Sequence, residues 1–104
     1  MFYFVRHGDL LVKKVSAIKI QGVKKDNKIL LEGEATGHMH SITKGTVYSI
    51  TPTRQNNYFL GYLDVKEEAL LTHPEHKSIT LHPGLYEFYR QREYDEVEDK
   101  MVID

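Results

Sequence analysis

Short apolar runs broken by polar residues recur along this chain, and no window keeps a helical period over three turns. Residues 2–5 (FYFV) are aromatic and β-branched. Residues 9–15 (DLLVKKV) and 17–23 (AIKIQGV) mix apolar and polar positions with strand character. Residues 24–27 (KKDN) predict a turn, because Asp and Asn tolerate tight local backbone. Residues 28–42 predict one long strand, or two joined at Gly33 or Gly37, since a glycine inside a strand pattern marks a bulge or a close backbone approach. Further strands are expected over 46–51, 58–65, 69–73 and 78–81. A polar loop is expected at 52–57, and turns at 74–77 and 82–84. Residues 66–71 hold good helix formers and predict at most one short helical turn. The last long strand is read over 85–94, an acidic loop over 95–100 and a final edge strand over 101–103. This density of short strands predicts an all-β fold, a small barrel or sandwich of about eight strands, in one domain over residues 1–104.

Strand alternation also sorts side chains into faces. In residues 28–42, Glu32, Glu34, Thr36, His38 and His40 are expected on one face and Leu31, Ala35 and Met39 on the other. In residues 85–95 (LYEFYRQREYD), Tyr86, Phe88, Arg90, Arg92 and Tyr94 share a face. Tyr86 and Phe88 read as core, each worth about 1.5–3 kcal/mol on burial. Arg90 and Arg92 carry that face past the core.

Composition narrows the class. A chain of 104 residues with 28% charged residues supports one modest core and is not a disordered composition. No apolar run approaches the ~18 residues of a membrane span, so no membrane partner is expected. The N-terminal stretch lacks the basic region and cleavage site of a signal peptide. The absence of cysteine excludes disulfides, thiolate metal sites and cysteine nucleophiles. A cytoplasmic setting is the expectation that goes with it. A net charge of −1 argues against a surface that grips nucleic acid all over, yet leaves room for a local basic patch. Lysines at 13, 14, 19, 24, 25 and 28 face an acidic cluster at 93–99, two ends that favour each other.

Five of the six histidines fall in two windows, GEATGHMHSI (33–42) and THPEHKSITLHPG (72–84). Two imidazoles at i and i+2 on a strand suit a divalent metal, and neutral imidazole is a ligand for zinc, manganese, nickel or iron. His38, His40, His73 and Glu34 form the expected metal set, with His76 and His82 as further sources of a ligand. His38, His40 and His73 are equally placed for metal-free acid–base work. Thr36, Arg90 and Arg92 are the expected substrate contacts, because guanidinium forks match phosphate. His73 and His82 each precede a proline, which favours extended backbone and places them at strand ends. His76 reads as a surface turn residue.

The segments Gly33-Glu34-Ala35-Thr36-Gly37-His38-Met39-His40, His73-Pro74-Glu75-His76, Pro83-Gly84-Leu85-Tyr86 and Arg90-Gln91-Arg92-Glu93-Tyr94 resemble a small uncharacterised protein family of bacteria and their phages. The resemblance covers most of the chain after residue 29 and implies no function. The residues themselves point to a small β enzyme that hydrolyses a phosphodiester in RNA or a nucleotide. The alternatives are a ligand- or nucleic-acid-binding module without turnover, and a phage-related assembly protein. Edge strands on so small a sheet also lead to the expectation of a homo-oligomer.

Overall fold

The computed structural model describes residues 4–19, 21–32, 38–54 and 58–90. Among them are ten strands and no helix. A six-stranded sheet holds β1 (Phe4–His7), β2 (Leu10–Val15), β10 (Gly84–Arg90), β7 (Phe59–Val65), β6 (Thr46–Ser49) and β3 (Val23–Lys24), in that spatial order. A four-stranded sheet holds β4 (Ile29–Glu32), β5 (Met39–Ile42), β8 (Ala69–His73) and β9 (His76–Leu81). Every strand pairing among the described residues is antiparallel. The two sheets keep separate edges, so of the two expected architectures the molecule is a sandwich and not a closed barrel.

Alternation does what the sequence pattern predicts along most of the two longest strands. Gly61, Leu63 and Val65 are buried positions of β7, and Tyr86 and Phe88 those of β10. Past the register shift between Phe88 and Tyr89, Leu60 packs on the core and the buried Phe59 stacks on Tyr89 at 5.0 Å. Leu63, Val65, Tyr86 and Phe88 meet Leu10, Val12 and Val47 of their own sheet. Opposite stand Leu30, Leu31, Ile42, Ala69, Leu71 and Leu81. The buried Tyr86 hydroxyl donates to the His82 carbonyl at 2.6 Å, so its polar end is satisfied.

Two expectations are corrected. Residues 17–19, 21 and 22 are not in a strand; among the described residues of 17–23 only Val23 pairs, together with Lys24, with β6. Because β2 and β3 lie at opposite sides of the sheet, the chain between them must cross β10, β7 and β6 rather than extend beside them. Residues 66–71 form no helical turn, within the expected limit of at most one, and the strand expected over 69–73 is present as β8. Ala69 and Leu71 are buried strand positions paired with Leu81 and Ile79, and burial in a sheet outweighs a weak helical preference. The continuous face from Glu32 to His40 is also absent. The chain folds back between β4 and β5, so Leu31 pairs with His40 while Glu32 pairs with Met39 and turns to the other side. The strand ends predicted beyond Arg90, including residues 91–94 and 101–103, lie outside the described residues.

Two tight hairpins set up one end of the sandwich. β1 and β2 are joined by Gly8 and Asp9, with His7 opposite Leu10. Gly8 has φ +63°, the left-handed backbone a two-residue hairpin needs at its first position. β8 and β9 are joined by Pro74 and Glu75, with His73 opposite His76. Pro74 cannot take positive φ, and a register shift between Leu71 and His73 accommodates the different turn.

A five-histidine end as candidate functional site

The same end gathers five imidazoles from four segments. His7 closes β1, His38 precedes β5, His40 lies on β5, His73 closes β8 and His76 opens β9. Ring centroids are 4.4 Å apart for His40–His73, 4.6 Å for His73–His76, 5.0 Å for His7–His40, 5.5 Å for His7–His76 and 5.9 Å for His38–His73. The cluster is graded by depth. His7 and His40 are buried at 0% and 2% exposure, His73 is half-buried, and His38 and His76 reach solvent.

Hairpin geometry explains the burial. Parity puts His7 on the same face of β1 as the core residue Val5, and puts His40 on the same face of β5 as Ile42. The two rings meet across the sandwich, Nδ1 to Nδ1, at 3.0 Å. Nε2 of His7 lies 2.8 Å from the Lys77 carbonyl oxygen. Nε2 of His40 lies 3.2 Å from Oδ1 of Asp9, a residue 62% exposed at the hairpin tip. Carbonyl and carboxylate oxygens only accept, so both ends of this chain need a proton from a ring. Three contacts call for three protons, and two neutral imidazoles carry two.

The outer histidines have fixed partners too. The Glu75 backbone N–H donates to His73 Nδ1 at 3.0 Å, so neutral His73 carries its proton on Nε2 as a donor. Nε2 of His38 lies 3.4 Å from the Glu75 carboxylate, a contact that favours the tautomer with the proton on Nε2. Beside His73, an open depression of about 370 Å³ is lined by Met39, Ser41, Thr72 and Pro74.

Electrostatics favours the neutral forms of His40 and His73. Burial pushes the pKa of His40 down to about 4; the neighbouring His73 and His7 add to this and the Asp9 hydrogen bond opposes it. The pKa of His73 is also lowered, first by its partial burial and then by His76 and His38.

Of the residues expected from sequence, His38, His40 and His73 come together here. Arg90 is the Cα partner of Leu10, itself the partner of His7, so the exposed arginine emerges at the same end of the sheet. Glu34, Thr36 and Arg92 lie outside the described residues. His82 sits at the far end of β9, beside Glu68, and does not join the cluster. Among the described residues no three His, Asp or Glu side chains already stand around one point as metal ligands.

Sequence reasoning missed His7 and Asp9 and placed His76 in a turn. The signal for His7 was there: equal parity with Val5, immediately before a Gly-Asp hairpin turn. His76 opens β9 because the turn is two residues, Pro74-Glu75, not four.

Residues 6–91 match a domain family described only as a domain of unknown function, DUF8820. No curated protein and no solved structure matches the chain. None of the described helices is long and apolar enough to cross a membrane, since there is no helix among the described residues.

Proposed function

We propose a function for a chain that belongs to the DUF8820 family and inherits no activity from it: hydrolysis of a phosphodiester, in RNA or a nucleotide, at the five-histidine end. The observation that carries this reading is the His38–Glu75 pair beside His73. The Glu75 carboxylate, 3.4 Å from Nε2 of His38, favours the tautomer that keeps Nδ1 as the basic nitrogen, as a carboxylate does beside a catalytic imidazole. His38 then removes a proton from the attacking water or 2′-hydroxyl and returns it to the leaving oxygen. His73, with its proton on Nε2, donates a hydrogen bond to a phosphoryl oxygen. Arg90 emerges at the same end, with Arg6 beside His7 and Lys77 beside His76, to attract and hold the anionic group.

This reading places the protein in the cytoplasm, where nucleotide and RNA substrates are present. The test is turnover of a short RNA, a 2′,3′-cyclic nucleotide and an activated phosphodiester by untagged protein. Arg90→Ala is expected to raise KM on all three with a smaller effect on kcat. Saturable binding of these molecules without turnover would replace the reading with that of a binding module.

A further inference from the structure

The chain from the Lys77 carbonyl through His7 and His40 to Asp9 has a feature that acid–base chemistry at the rim does not use. Each buried ring gives one nitrogen to an acceptor: Nε2 of His7 to the Lys77 carbonyl at 2.8 Å, and Nε2 of His40 to Asp9 at 3.2 Å. Histidines that ligate a metal are held in this way, with the second N–H donated to a backbone carbonyl or a carboxylate that fixes tautomer and ring orientation. With protons on both Nε2 atoms, the contact without a hydrogen is the one between the two Nδ1 atoms, 3.0 Å apart. At the typical metal–nitrogen distance of ~2.1 Å, donors with that separation subtend roughly 90° at a shared ion. That angle fits the octahedral or square arrangements of nickel, iron or copper more closely than tetrahedral zinc, and imidazole donors do not suit magnesium or calcium.

A third donor stands next to the pair. His76 is exposed, and its ring centroid lies 5.5 Å from His7 and 6.1 Å from His40. Its Nε2 is held close above Gly8, the residue that links His7 to Asp9. His73 is less suited, because its Nδ1 already accepts from the Glu75 backbone.

We propose that this end binds one divalent transition-metal ion, with His7 and His40 as its buried ligands through Nδ1, His76 as its exposed ligand, and Asp9 as the outer-shell group that aims His40. The ligand set differs from the one drawn from sequence, which was His38, His40, His73 and Glu34; His40 is common to both. The site stands independently of any turnover at the rim.

The experiment is calorimetric titration of untagged, metal-free protein with nickel(II) and zinc(II) chloride. It is paired with long-range ¹H–¹⁵N spectra of the imidazoles before and after zinc. Saturation is expected at one ion per chain, with His7 and His40 protonated on Nε2 in the metal-free protein and their Nδ1 resonances moving on addition of zinc. Asp9→Asn is expected to weaken binding about 10–100-fold, the usual effect of losing an outer-shell partner. His76→Ala is expected to weaken it at least about tenfold while the fold persists, since the residue is exposed. His82→Ala leaves binding unchanged. Absence of saturable binding for both ions, or an affinity indifferent to Asp9→Asn and His76→Ala, overturns the proposal. Neither readout uses activity, so a failure here and a failure of the hydrolysis reading are distinct results.

Discussion

Gly8 lies under the imidazole of His76: a Cβ on residue 8 would fall 2.6 Å from His76 Nε2 and 3.3 Å from His40 Cε1. One small residue thus lets the first hairpin close over the histidines that the second sheet presents. Its φ of +63° is costly for any residue with a side chain. Gly8→Ala is expected to lose about 1–2 kcal/mol from backbone conformation alone, with more from displacing His76. Urea unfolding measures the total. A loss below about 0.5 kcal/mol would mean that the hairpin tip does not press on the cluster.

The pKa values give a pH dependence with a definite sign. His40 has an unfolded value of 6.5 and a folded value of about 4. Between these the unfolded chain binds more protons than the folded one, so stability is full above pH 6.5 and is lost as the pH falls through 4. The shift corresponds to about 3 kcal/mol for His40, and the lowered His73 adds in the same direction. Denaturant midpoints between pH 7.5 and 4 are expected to fall steeply. A flat profile would show that folding does not depress the His40 pKa.

How much of this was legible in the sequence depends on whether local alternation or long-range pairing decides. Alternation alone assigns Tyr86 and Phe88 to the core, and both are buried. The proline-marked strand end at His73 also brings that ring to the rim. Pairing across the molecule is a different matter. Nothing in the spacing of GEATGHMH says that the chain returns on itself between Glu32 and Met39, which moves Glu32 away from His40. Nor does the isolated His7 announce that its ring will reach the Lys77 carbonyl of β9, seventy residues on. Pairing partners far apart in sequence are set by the packing of the whole sandwich.

The core makes its own prediction. Phe88 is 1% exposed between the sheets, and Phe88→Ala is expected to cost about 3–5 kcal/mol. Tyr86→Phe removes the 2.6 Å bond to the His82 carbonyl and is expected to cost about 1 kcal/mol. Thermal melts on the two variants separate cavity formation from the loss of one hydrogen bond. Equal losses would contradict the packing described for β10.

The central claim is that the histidine end does chemistry, and the most direct measurement is turnover and melting on one and the same His38→Ala protein. His38 is at the solvent-facing margin, with its side chain 37% exposed, so its removal is expected to change stability by no more than about 0.5 kcal/mol. Its loss as general base is expected to lower phosphodiester turnover about 10²–10⁴-fold. Full stability with turnover reduced to that extent is the predicted result. Turnover that is unchanged, or that falls only in step with the folded fraction, would contradict it.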